Sequence, residues 1–288
     1  MERSFAGRMQ RTIEPLVGMI FFVPENNGPE GELATLGLEP WPTGYFASRG
    51  WALGRTSPAV IVSTFYNFSP AVATRGVPEC WDKASPEEIG EARDRAATAA
   101  LQRLTAGADL PDLKRVHELL QRTVDACRTE GRTLFSAIAH APWPDDDPLL
   151  TVWHGANRLR EYRGDGHVAL LAAEGVSPVE ALVLHAGIGE VPKNALLQTR
   201  AWTEDDWAAA CSHLAERGLC RDGEVTDDGK RFREELEDDT NRLSMDPWRA
   251  LGDDDAEELR VSLRAITQLV VDNGGVPGRI GRLSLERS

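Results

Sequence analysis

Apolar residues recur along most of this chain at the three- and four-residue spacing of helices, and the turn chemistry of a strand pair is confined to one short stretch. Residues 1–10 read as a frayed, partly basic arm, 13–23 as an apolar helix, and 24–44, rich in Gly, Pro, Glu and Asn, as a long loop. Ser57-Pro58 opens a helix over 59–68, with Ser as N-cap and Pro at the first helical position. Ser85-Pro86-Glu87-Glu88 opens another, reaching about Leu104, with Glu88 completing a capping box. A third helix covers roughly 111–139 and ends before Pro142-Trp143-Pro144. Asp147-Pro148 starts a fourth, which runs through Trp153 to Tyr162 and stops at Gly164.

Beyond it the pattern predicts a short helix over 167–174, a helix behind Ser177-Pro178 and one behind Thr203-Glu204-Asp205-Asp206. A tiny hairpin at Arg221-Asp222-Gly223-Glu224 follows, then a long helix over 227–243 and a terminal helix over 254–271. The fold class is mainly α.

The two halves echo each other. Pro15-Leu16-Val17 corresponds to Pro148-Leu149-Leu150, and Arg49-Gly50 then Ser57-Pro58 to Arg163-Gly164 then Ser177-Pro178. Trp81 before Ser85-Pro86-Glu87-Glu88 corresponds to Trp202 before Thr203-Glu204-Asp205-Asp206, and Pro142-Trp143 with its acidic run to Pro247-Trp248 with its own. Such an ordered repeat points to a duplicated unit. It divides the chain into residues 11–147 and residues 148–273, the helix from Pro148 lying near the pseudo-two-fold axis of a single-chain pseudo-dimer.

Charge narrows the partners. With 32 Lys and Arg against 46 Asp and Glu, the net charge of −14 argues against a nucleic-acid partner unless basic residues gather on one face. No apolar run reaches the ~18 residues of a membrane span, and no leader pattern opens the chain, so the cytoplasm is the expected location. Cys80, Cys127, Cys211 and Cys220 stand alone, without zinc-ligand spacing, and are expected as free, mostly buried thiols.

Residues 202–271 resemble the second half of a MarR-family regulator. The stretch from Thr203-Glu204-Asp205-Asp206-Trp207 to Leu219 sits where the recognition helix would be, and Val225-Thr226-Asp227-Asp228-Gly229-Lys230-Arg231-Phe232 where the strand and turn after the wing would be. Pro247-Trp248-Arg249-Ala250-Leu251 and the segment from His154-Gly155-Ala156-Asn157-Arg158 to Gly164-Asp165-Gly166-His167 also resemble a bacterial family of helix-turn-helix proteins. The resemblance implies tandem winged-helix repeats of MarR-like kind, with small β-hairpin wings and a first unit that has degenerated.

Two departures bear on DNA. A recognition helix presents Arg, Lys, Ser, Asn or Gln to the groove, whereas this one begins with Glu204, Asp205 and Asp206, and its counterpart in the first half carries Glu87, Glu88 and Glu91. The wing is cut back to a turn at Asp222-Gly223, and the basic residues Lys230, Arg231, Arg233 and Arg242 alternate with seven acids along 227–243. DNA is therefore disfavoured as a partner.

The chemistry is expected in the centre. His154, Arg158 and Glu161 fall on one helix face, and the two glycines of Gly164-Asp165-Gly166-His167 would allow a turn that aims Asp165 and His167 back at it. His167 would be the acid/base and Asp165 its orienter, with Arg158 and Arg163 clamping an anion. The repeat sets Arg49 opposite Arg163, and Tyr66 and Asn67 would line the same cleft between halves. A buried ion-pair network fixing the register between halves is the competing reading of these residues. Neither a cofactor nor a metal is expected: His154, Asp165 and His167 lack a diagnostic ligand spacing, His185 reads as a core histidine, and His117 and His213 as surface ones. The expected function is a cytoplasmic small-molecule-binding protein or cofactor-independent enzyme of specialised metabolism, acting on an anionic or aromatic molecule. The alternative is a ligand-responsive MarR-type regulator that binds DNA.

Overall fold

Helix starts fall where local capping chemistry sets them. Ser85 accepts from the Glu88 N–H at 3.1 Å while Glu88 accepts from the Ser85 N–H at 2.8 Å. Ser177 with Glu180 and Thr203 with Asp206 close the same reciprocal box. Asp147 accepts from the N–H groups of Leu149 and Leu150, both at 3.1 Å. In the computed structural model, which describes residues 1–2, 4–189, 191–278 and 285, these caps open four helices of a mainly helical chain.

The order is α1 (Ser4–Gly18), α2 (Tyr45–Gly50), α3 (Pro58–Phe65), α4 (Pro70–Gly76), α5 (Pro86–Leu104), α6 (Leu113–Asp125), α7 (Thr133–Ala139) and α8 (Pro148–Ala173). Then come α9 (Pro178–Gly187), α10 (Lys193–Arg200), α11 (Glu204–Glu216), β1 (Cys220–Arg221), β2 (Glu224–Val225), α12 (Asp227–Leu243), α13 (Asp246–Leu251) and α14 (Asp253–Asp272). Asp222 and Gly223, both at positive φ, make the two-residue turn that joins the antiparallel strands. Among the described residues no single helix is long and apolar enough to cross a membrane.

Four expectations are corrected. The first ten residues are not a frayed arm, because Phe5, Met9, Ile13 and Leu16 form an apolar stripe that buries α1 against α14, α8 and α12. Residues 24–44 hold short helical turns at Pro24–Asn27, Glu32–Thr35 and Pro40–Gly44. The helix expected over 111–139 is two, α6 and α7, separated by a turn in which Gly131 takes a φ of +72°. The fourth is the central helix, which does not stop at Gly164 and absorbs the short helix expected over 167–174. Its glycines serve close packing: a Cβ on Gly166 would stand 2.6 Å from Arg132 Nη1, and one on Gly155 would stand 2.9 Å from Leu120 Cδ1. Arg132 uses that space to donate to the carbonyls of Tyr162 and Leu243.

Three apolar clusters surround α8. The largest joins Met9 and Leu16 of α1, Leu101 of α5, Leu119 of α6, Trp153 of α8, Trp248 of α13 and Leu263 of α14. A second, around Phe46, Phe65, Phe68, Trp81 and Ile89, belongs to the first half. A third, around Leu171, Val183, Leu197, Trp207, Leu214 and Leu236, holds α9 to α12 together with the hairpin. The second and third clusters are stitched by three bonds: Tyr66 Oη donates to the Val176 carbonyl at 2.5 Å, Trp202 Nε1 to the Asn67 carbonyl at 2.8 Å, and the Ser69 N–H to the Arg200 carbonyl at 2.9 Å.

Candidate functional site

The helix α8 crosses the middle of the molecule with its polar residues as well as its apolar ones buried, and their partners come from both halves. His154 Nε2 lies 2.8 Å from Asp94 Oδ1 of α5, and burial holds its imidazole below its usual pKa in spite of that carboxylate. Arg158, with 0% of its surface exposed, donates to the Ala141 carbonyl at 2.8 Å and lies 4.1 Å over the Trp143 ring. Glu161 accepts from Arg49 Nη2 at 3.3 Å and also from Arg160, which in turn grips Glu14 of α1 at 2.8 and 2.9 Å.

Of the residues singled out from sequence, the fold thus joins Arg49 to Glu161. Tyr66 and Asn67 make the stitch between halves, Tyr66 through its hydroxyl and Asn67 through its carbonyl. Arg163 faces elsewhere, pairing with Glu237 and donating to Asn241 Oδ1 at 2.9 Å, and so does not stand opposite Arg49. The Asp165–His167 pair is a correction. With no turn at Gly164-Asp165-Gly166, the two side chains leave α8 on different faces. Asp165 accepts the Phe135 N–H at 2.9 Å at the start of α7, while His167 Nδ1 lies 2.9 Å from Thr240 Oγ1 of α12. Asp165 does not orient His167. Burial raises the Asp165 carboxyl to about 6 and lowers the His167 imidazole to about 4, the latter beside Arg233, Glu237 and Arg163.

Three arginines complete the seam that the sequence reading left out of its site. Arg93 of α5 is 5% exposed, lies 4.2 Å over the Trp153 ring and reaches Asn157 Oδ1 at 3.5 Å. Arg160 is the bridge between Glu14 and Glu161. Arg200, at the end of α10, lies 4.6 Å over the Phe68 ring. One signal was present for Arg93: it sits four residues from both Ile89 and Ala97, a charge on the apolar stripe of α5. Nothing local marks Arg200.

The electrostatics are unbalanced toward positive charge. Along the seam five guanidiniums (Arg49, Arg93, Arg158, Arg160 and Arg200) face three carboxylates (Glu14, Asp94 and Glu161), a surplus of two. Burial lowers Arg93 and Arg158 to about 10. Burial alone would raise the Glu161 carboxyl, but Arg160 and Arg49 hold it below the usual carboxylate range. The Nε atoms of Arg49, Arg93, Arg158 and Arg200 are buried without a hydrogen-bond acceptor, as is Arg158 Nη1. Buried guanidinium donors without partners are costly, and anions satisfy them.

The aromatic residues form one side of this seam. Arg49 lies 4.2 Å over Phe65, whose ring stacks 6.2 Å from Phe46, and Phe46 meets Phe68 at 5.2 Å. Arg49 also lies 5.9 Å over the Tyr45 ring and donates from Nη1 to the Tyr45 hydroxyl at 3.1 Å, and Tyr45 packs against Trp41, which is 42% exposed.

The helix-turn-helix face has the opposite character. The exposed positions of α11 are Glu204, Asp205, Ala208, Ala209, Ser212, His213, Ala215 and Glu216, a surface without a cation. Arg217 follows the helix and lies 4.9 Å over the Phe232 ring, and Lys193 beside α11 is held by Glu204 at 2.6 Å. Elsewhere several exposed arginines are paired with a carboxylate: Arg95 with Glu32, Arg103 with Glu25, Arg122 with Asp255, Arg242 with Asp239 and Arg249 with Asp246. No positive strip spans both halves among these.

Comparison with known proteins adds one finding. The sequence profile of a family described as a helix-turn-helix family matches residues 6–277. No curated protein and no solved structure matches the chain.

Proposed function

The chain belongs to that helix-turn-helix family, a fold of DNA-binding type, and from this premise we propose that it holds a small organic anion in the seam along α8 rather than duplex DNA on α11. The observation that carries the reading is the surplus of buried guanidinium charge, with orphaned Nε atoms on Arg49, Arg93 and Arg200. A protein of net charge −14 has no general reason to bury arginines without carboxylates, and a bound carboxylate or phosphate would satisfy them. Arg49, Arg93 and Arg200 are the binding residues, and the rings of Phe65 and Phe68 hold two of the three guanidiniums flat. Binding alone is proposed. The separation of Asp165 from His167 leaves the acid/base pairing without support.

The finer architecture belongs to the same reading. The ordered landmarks of the two halves, and boxes of the same kind at Ser85, Ser177 and Thr203, support two winged-helix units of MarR-like kind in one chain, the first of which has lost its hairpin. The test is a thermal-shift screen of aromatic and aliphatic carboxylates against the wild type and Arg49→Gln. A carboxylate that raises the midpoint of the wild type and not of the variant supports the proposal. A screen in which every shift is equal in the two proteins counts against it.

A second reading, a DNA-binding regulator, is favoured by the family itself. It requires phosphate contacts that the acidic face of α11 does not offer. Anisotropy of a labelled promoter fragment at low salt separates the two: saturable binding that weakens steeply with added salt belongs to the regulator.

A further inference from the structure

Between α1, α8 and the start of α13 lies a small cavity whose wall includes Gln10, Tyr162, Arg163, Ser244 and Trp248. Its volume is about 10 Å³, that of one water-sized sphere. Two of the lining side chains each carry a buried polar atom without a partner: Arg163 Nε, a donor, and Gln10 Oε1, an acceptor. We infer that this cavity is the binding site of a single water molecule, which accepts from Arg163 Nε and donates to Gln10 Oε1. The site is separate from the anion proposed for the seam and stands or falls without it.

Neighbouring groups fix the polarity of these atoms. Gln10 donates from Nε2 to Glu14 Oε2 at 2.7 Å, which identifies its remaining atom as the carbonyl oxygen. Arg163 uses Nη2 on Glu237 and Asn241, and its Nε is left as a donor. Ser244 Oγ gives its hydrogen to the Thr240 carbonyl at 2.8 Å and keeps its lone pairs for a further bond. One donor and two acceptors match a water, which accepts once and donates twice. An anion would be set against the lone pairs of Gln10 Oε1 and a cation against Arg163, while about 10 Å³ excludes any organic molecule. The water also completes a chain. Glu237 of α12 holds Arg163, the water joins Arg163 to Gln10, and Gln10 leads through Glu14, Arg160 and Glu161 to Arg49 of α2. The ion pairs of α12 and those of the seam thereby form one hydrogen-bonded network.

The experiment is a crystal structure of the full chain at a resolution that orders waters, for the wild type and for Gln10→Met. The wild type is expected to show one solvent peak within about 3.2 Å of both Arg163 Nε and Gln10 Oε1. Methionine is close to glutamine in volume but offers no carbonyl, so the variant should lose the peak while the Arg163–Glu237 pair stays in place. A wild type with no peak in the cavity, or with Arg163 Nε turned onto a protein acceptor, overturns the inference. A peak that persists unchanged in Gln10→Met overturns the bridge to α1. Should the variant fail to fold, the wild-type map decides alone.

Discussion

Replacing Glu161 by Gln should cost this protein about 3 kcal/mol of folding stability, because it removes the one carboxylate that two buried guanidiniums share. Glu161 is 6% exposed and accepts from Arg49 at 3.3 Å and from Arg160. Breaking a buried pair from one side costs ~3–5 kcal/mol, mostly from the charge left behind. The lower end applies here, since Arg160 keeps Glu14 at 2.8 and 2.9 Å and Arg49 keeps the Tyr45 hydroxyl at 3.1 Å. The assay is urea unfolding at pH 7.5, read as the shift in midpoint at unchanged slope. Acid supplies an internal check. The folded-state pKa of Glu161 is depressed, so its contribution is present above the unfolded value of ~4.3 and is lost as pH falls through the folded one. The gap between wild type and variant should therefore close below about pH 4. A loss under ~1 kcal/mol at pH 7.5, typical of an exposed pair, would mean that solvent screens the seam and would refute the reasoning.

Other outcomes follow from the same geometry. Asp165→Asn should stabilise the protein by ~1–2 kcal/mol at pH 8 and not at pH 4: a folded pKa raised to about 6 means stability is full below the unfolded ~3.9 and is lost as pH rises through 6. Unfolding curves at the two pH values check this, and equal effects would contradict it. The two glycines of the same helix should respond in opposite directions. Gly164→Ala, whose Cβ would meet nothing closer than Glu161 Oε2 at 3.5 Å, gains ~0.5–1 kcal/mol of helix propensity, whereas Gly166→Ala displaces Arg132 and loses ~1–3 kcal/mol. Two losses of stability would restore the turn that the sequence suggested. Trp202→Phe removes the bond to the Asn67 carbonyl and should cost ~1 kcal/mol in thermal or urea unfolding, with the opposite sign or no effect telling against the stitch between halves.

Helix starts were legible from sequence because capping is local: Ser85 and Glu88 specify their box within four residues. The hairpin was legible for the same reason, Asp222-Gly223 being a turn by its own chemistry. The course of α8 through Gly164 and Gly166 was not, since glycine signals either a turn or a close approach, and only Arg132, 34 positions before Gly166, decides which. The repeat set Arg49 opposite Arg163, whereas its carboxylate partner is Glu161, 112 residues away, a pairing that depends on tertiary packing. Arg200 was silent because its role depends on Phe68, a residue of the other half.

The most direct measurement is anomalous diffraction from crystals of the full chain grown or soaked in bromide, which reports where an anion rests irrespective of its natural identity. The account predicts a bromide peak within hydrogen-bond reach of the Nε atoms of Arg49, Arg93 or Arg200, weakened or absent in Arg49→Gln. Bromide found only at exposed arginines, with none in the seam along α8, would contradict it.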